Sequence, residues 1–147
     1  MNLKFQLGKT ISLGEKRFSK EEIISYAKQM DPLPFHLDET AAKASRFGGL
    51  VCSGAQPFYF FYVNKWLPKY ANTIEAGMGI DQWKLIAPVY VNHKIECRYT
   101  LNSSKKTKSN RNIINQWKFE FFDHEKSPKL VQSLLLTILH SNSDSHE

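Results

Sequence analysis

The chain has little cysteine, no long apolar run and no clustered metal ligands. Cys52 and Cys97 are its two cysteines in 147 residues, which excludes a disulfide framework, and no metal-type spacing surrounds either thiol. The five histidines (His36, His93, His124, His140 and His146) are scattered, so a zinc site has no support. The longest apolar stretch, PFYFFYV at 57–63, is far too short to cross a bilayer. The opening MNLKFQLGKTISLGE holds no apolar run of signal-peptide length. No membrane partner is expected, and the chain reads as soluble and cytoplasmic. A basic cluster, Lys105, Lys106, Lys108 and Arg111, supplies part of the net charge of +6. It lacks interleaved aromatics, which argues against nucleic acid. It fits either a solvated hairpin tip or a local field that attracts an anionic ligand.

What remains is the composition of an ordinary globular domain, long enough to bury one core. A single domain is expected over 1–140, and the tail 141–147, SNSDSHE, has no apolar residue and should be loose. The strongest local signal is Phe18-Ser19-Lys20-Glu21-Glu22-Ile23, a capping box flanked by a hydrophobic staple. Ile23, Ala27 and Met30 recur at helical spacing, so 20–30 is a helix with one buried face. Pro32 ends it at Asp31. Asp38 reads as the cap of a short helix reaching Ser45. A third helix, from Ser53 to about Trp66, is apolar nearly all round and belongs inside a core. Its start is open: Ser53 with Gln56 forms a capping box, whereas Pro57 favours the first helical turn.

The second half changes period. Ile95, Cys97, Tyr99 and Leu101 alternate with polar residues, as do Trp117, Phe119 and Phe121. The segment 130–139 is apolar on both faces, as a central strand covered on each side would be. Weaker strands are expected at 11–17 and 79–86. Helices followed by an antiparallel meander make an α+β domain. An apolar helix that a single sheet must cover is the layout of a hotdog fold, an antiparallel β-sheet wrapped around a long central α-helix.

Three sites carry possible chemistry. In DPLPFHLD (31–38), two prolines stiffen the backbone around Asp31 and His36. A carboxylate and an imidazole held in register can share one water and move its protons; a Pro-rich turn with a surface Asp and an incidental His is the plain alternative. Cys52 beside Ser53 invites a nucleophile reading, although free cysteines mostly behave as small buried apolar groups. Ser53 lacks the glycine elbow of a hydrolase. The backbone amide of Gly54, at a helix entry, is suited to a developing oxyanion.

The stretches YAKQMDPLPFHLDETAAKASRFGGLVCSG and DQWKLIAPVYVN resemble the MaoC-like family, which includes (R)-specific enoyl-CoA hydratases and acyl dehydratases. The likeness spans essentially the whole chain. It implies a homodimeric hotdog enzyme that adds water to a 2-enoyl thioester or removes it from a 3-hydroxyacyl thioester. The acyl group would be carried by CoA or acyl carrier protein, with no further cofactor and no metal. It also implies Asp31 and His36 as the catalytic pair and the Gly54 amide as the oxyanion donor. Ser53, Tyr59, Tyr62 and Leu33 are expected to shape the substrate pocket. The chain departs from the family at Leu33, where Asn is usual, at Ser53-Gly54-Ala55 for His-Gly-Met, at Tyr62 for a smaller polar residue, and at Asn92-His93 for Gly-Asp. Two other functions stay open: a hotdog thioesterase, and a non-catalytic acyl-thioester-binding subunit.

Overall fold

The computed structural model describes residues 5–142. Its framework is an antiparallel sheet in the order β1-β3-β4-β5-β2. The strands are β1 (Thr10–Arg17), β2 (Ile74–Leu85), β3 (Lys94–Lys106), β4 (Asn112–Asp123) and β5 (Lys129–Ser141). Strands β3, β4 and β5 form the expected meander. Ile95, Cys97, Tyr99 and Leu101 of β3 and Trp117, Phe119 and Phe121 of β4 all point into the core, following the period of two. Both strands extend beyond their apolar alternation, because the backbone ladder continues through polar pairs such as Ser104 with Asn115.

Strand β5 corrects the expectation of a strand covered on both sides. Leu134, Leu136 and Ile138 face the core, whereas Leu135 and Leu139 on the other face are half-buried. Ser141 ends β5, and Asn142 is buried with its amide donating to the Arg111 carbonyl, so these two residues are not part of a loose tail. The rest of that tail lies outside the described residues.

Helix α1 (Lys20–Met30) begins with the capping box: the Glu22 amide donates to Ser19 Oγ at 3.1 Å, and the Ser19 amide donates to Glu22 Oε1 at 3.0 Å. Ile23 and Ala27 are buried, but Met30 in the last turn is exposed. Two short helices follow, α2 (Pro34–Leu37) and α3 (Glu39–Ala44), the latter capped by Asp38 as expected. The central helix starts with α4 (Gln56–Phe61), passes through a π turn (Tyr62–Trp66), and continues as α5 (Leu67–Tyr70) and a 3₁₀ turn (Ala71–Thr73). Pro57 occupies its first turn, so the start is nearer the proline alternative than the Ser53 capping box. The helix also outruns its expected end at Trp66. Pro68 has no amide hydrogen and its ring crowds the preceding turn. The widened turn, in which the Leu67 amide donates to the Tyr62 carbonyl, carries the helix across it.

The sheet curls round this helix in the hotdog manner. Phe58 meets Phe119 with ring centroids 5.3 Å apart, and Trp66 meets Trp117 at 5.4 Å. The helix is not enclosed all round, since Tyr59 and Val63 face outward and are exposed. A buried polar chain ties its end to the sheet. Trp117 Nε1 donates to His140 Nε2 at 3.0 Å, which puts the ring proton on Nδ1; that nitrogen donates to Thr73 Oγ1 at 2.8 Å, and Thr73 donates to the Tyr70 carbonyl. Burial lowers the His140 pKa to about 4, so the ring is neutral at pH 7. Among the described residues β2 pairs only with β5, and it carries exposed Met78, Ile80 and Leu85. No helix among the described residues is long and apolar enough to cross a membrane.

Candidate active site

Asp31 terminates α1, its amide donating to the Ala27 carbonyl at 2.9 Å. Pro34 then opens α2 as its first residue, where a missing amide hydrogen costs nothing. The single turn of α2 carries His36 inward to 5 % exposure, and the His36 amide donates to the Leu33 carbonyl at 2.9 Å. The two prolines thus set a helix stop and a helix start in quick succession, with an acid and an imidazole five residues apart.

One hydrogen bond fixes the tautomer of His36. His36 Nδ1 lies 2.7 Å from the Val51 carbonyl oxygen. A carbonyl can only accept, so Nδ1 carries the proton. His36 Nε2 therefore faces Asp31 Oδ2, 3.3 Å away, with its lone pair in the neutral ring. Ser53 Oγ donates to the same Asp31 oxygen at 2.7 Å and fixes the carboxylate. Two acceptors converge there, an arrangement suited to a water that donates one proton to each.

Gly54 lies on the same cleft. The Ser53 carbonyl accepts the Gln56 amide at 3.0 Å, so in the trans peptide the Gly54 N–H points the opposite way, away from the helix. Among the described residues nothing accepts that proton. A Cβ at this position would stand 2.7 Å from Leu85 Cδ1, so a larger residue would require the exposed Leu85 side chain to turn aside. Gln132, 2 % exposed, donates from Nε2 to the Gly54 carbonyl at 3.0 Å and accepts Trp83 Nε1 on its Oε1 at 2.9 Å. The peptide after Gly54 is thereby held from β5.

Asp31, His36, Ser53 and Gly54 line one cleft of about 590 Å³, walled by Phe35, Phe47, Leu85, Ile86 and Val89. Three residues expected in the pocket are elsewhere. Leu33 is exposed on the link between α1 and α2 and does not line the cleft. Tyr59 sits two residues beyond the cleft-lining Pro57, nearly opposite on the helix, and lines a separate shallow groove with Tyr26 and Gln56. Tyr62 stacks on Phe58 and Trp66, half-buried against the core. Cys52 lines the cleft, but burial pushes its thiol pKa far up, so it stays protonated and is a poor nucleophile. The basic cluster lies at the tip of the β3–β4 hairpin, close to where Asn112 pairs with Ser141. That is nine residues along β5 from Gln132, or about 30 Å from the cleft. Among the described residues no group of three or more His, Cys, Asp or Glu could hold a metal.

Sequence reading missed Gln132, Trp83 and Val51. Gln132 left one trace, a polar side chain interrupting the apolar run of β5.

A family model described as a MaoC like domain matches residues 1–117. A curated Bacillus subtilis (strain 168) protein, "Uncharacterized protein YdeM", is 31% identical over 88 residues. That match covers 58% of this chain and 62% of the relative, less than two thirds of its length. The crystal structure of a MaoC-like dehydratase from Rhodospirillum rubrum superposes with a TM-score of 0.81 at 25% identity, covering 94% of both chains. The (R)-hydratase from A. caviae involved in PHA biosynthesis shares the fold, with a TM-score of 0.72 at 18% identity over 93% of this chain and 98% of that one.

Proposed function

The chain belongs to the MaoC-like domain family, and on that premise we propose that it hydrates a 2-enoyl thioester, or dehydrates the corresponding (R)-3-hydroxyacyl thioester. The observation that carries this reading is the convergence of Ser53 Oγ and His36 Nε2 on one oxygen of Asp31, on the cleft that Gly54 also lines.

In the hydration direction, a water held against Asp31 and His36 loses a proton to this pair as its oxygen bonds to the β-carbon. The π electrons move onto the thioester, and the Gly54 amide stabilises the oxyanion of the enolate that forms. The pair then returns a proton to the α-carbon. Water supplies both groups added, and no net oxidation or reduction occurs, so the scheme needs no redox cofactor. CoA or acyl carrier protein would carry the acyl group. Leu33 and Tyr62, whose departure from the family pattern leaves a non-catalytic binding subunit open, lie outside the cleft and do not obstruct it.

The exposed edge of β2 suits pairing with a second copy of the chain, since an uncovered apolar edge strand is a ready template. Leu85 and Ile86, exposed in the single chain, wall the cleft, so a homodimer formed there would complete it. Light scattering should return twice the chain mass; a monomer at micromolar concentration would remove this part of the reading.

The direct test is a turnover screen of the purified protein over enoyl and 3-hydroxyacyl thioesters. Loss of enoyl-thioester absorbance without release of free thiol is the expected result. Thiol release would instead indicate a thioesterase. Gln132→Leu leaves the Gly54 carbonyl and Trp83 Nε1 without partners, so the oxyanion turn loses its anchor. Steady-state kinetics should show kcat lowered by about tenfold or more with KM little changed; an equal loss confined to KM would place Gln132 in ground-state binding instead.

A further inference from the structure

The cleft contains one cation that the proposed reaction does not use. Arg46 lines it, and its guanidinium has no hydrogen bond or ion pair among the described residues. Asp31, the carboxylate on the cleft, is engaged by Ser53 and faces His36.

The arginine is mounted on an ordered loop. Ser45 Oγ donates to the Ala42 carbonyl at 2.6 Å and accepts the Phe47 amide at 3.2 Å. Tyr90 Oη donates to the Phe47 carbonyl at 2.8 Å. Phe47 packs on Phe35 with centroids 5.1 Å apart, and Phe35 packs on His36 at 4.5 Å. The loop that holds Arg46 is therefore built directly onto the short helix that holds the imidazole. Gly48, at φ +68°, turns the chain immediately after it.

A guanidinium is a planar fork matched to carboxylate and phosphate oxygens. Beside an apolar wall of Phe35, Phe47 and Val89, it has no use for an uncharged alkyl chain. We propose that Arg46 is the anion-recognition residue of this cleft, and that the substrate presents an oxyanion group to it at a fixed distance from the reacting carbons. This rests on the thioester reading and deepens it to a substrate class. The anion is either a carboxylate on the acyl group, making the substrate a dicarboxylic acyl thioester, or a phosphate of the carrier arm.

Equilibrium binding of non-reacting ligands separates these sources without requiring turnover. The full chain, Arg46→Gln and Arg46→Lys are titrated with coenzyme A, pantetheine, S-butyryl-pantetheine and S-succinyl-pantetheine at low and high salt. If the anion is a phosphate, Arg46→Gln weakens coenzyme A about tenfold and leaves the three pantetheine ligands unchanged. If it is a carboxylate, the same loss falls on S-succinyl-pantetheine and spares S-butyryl-pantetheine. In either case Arg46→Lys recovers part of the loss, and salt diminishes it. Equal effects on charged and uncharged ligands, no effect on any, or no binding by the wild-type chain overturns the proposal. So does a change of oligomeric state in Arg46→Gln, which would assign the side chain to an interface. Wild-type turnover with an Arg46-independent KM sinks the subsite alone. Arg46-dependent binding without turnover sinks the hydratase reading alone.

Discussion

Asp31→Asn should lower turnover of the enoyl thioester by about 10²–10⁴-fold, the range for losing a positioned acid–base group, and His36→Ala should match it. Asn keeps the shape of Asp and can still accept the Ser53 hydroxyl, so the site stays assembled. What it loses is the capacity to take a proton. His36→Ala removes Nε2 outright and leaves the Val51 carbonyl, now accepting at 2.7 Å, without its partner. Unpaired buried acceptors cost about 1–3 kcal/mol, so this variant needs a stability measurement beside the rate. Because the two side chains serve one water, the double variant should fall little below the worse single one. Initial rates followed by absorbance decide the matter. Wild-type rates in both single variants would sink the mechanism.

Acid should destabilise the fold in two separate steps, the first through His140. In the unfolded chain this histidine titrates near its ordinary 6.5, but burial in the fold depresses it to about 4. Above 6.5 both states are neutral there and the full stability is present. As the pH falls from 6.5 to 4 the unfolded chain takes up a proton that the folded chain refuses, which favours unfolding by about 3 kcal/mol. Below about 4 the folded ring protonates too and this loss levels off. Glu96 acts lower. Burial alone would raise its pKa, but hydrogen bonds from Arg98, Ser12 and His124 outweigh burial and hold it at about 2. Its contribution is present above the ordinary 4.5 and is lost as the pH falls toward 2. Denaturant unfolding of the wild type and His140→Gln at pH 7, 5.5 and 4.5 isolates the histidine. Glutamine can hydrogen-bond but does not titrate, so the variant's stability should change less across this window. Identical pH slopes for the two proteins would refute the assignment.

Legibility in the sequence followed the range of the interactions. The start of α1 was plain because its capping box is closed within four residues, and β3 and β4 were plain because one buried face imposes a period of two. Helix α2 was not, since PFHL is too short for any period to register. Tyr59 and Tyr62 were expected on the cleft from the family resemblance, and the residues opening the central helix do not fix its rotation. A shift of one residue turns a helix by about 100°, enough to move a side chain from the cleft to the opposite groove. The spacing of Asp31 and His36 was visible, but their partners were not: Ser53 lies 22 residues from Asp31, and Gln132 lies 78 from Gly54. Such contacts depend on how strand and helix dock, which no local window contains. The bridge from spacing to a site came from the family resemblance.

The π turn at Tyr62–Trp66 also bears on how this chain can be aligned with its relatives. A widened turn accommodates one residue more than an α-helix of the same rise, so everything after it is advanced by one position relative to a regular helix. A relative without that turn can share register with this chain before Tyr62 or after Trp66, but not on both sides unless a one-residue gap is opened between them. An ungapped comparison anchored on the DPLPFHLD segment would therefore set Tyr70 and Thr73 against the wrong counterparts. The residues that hold His140 would then look unconserved even where the relative keeps them.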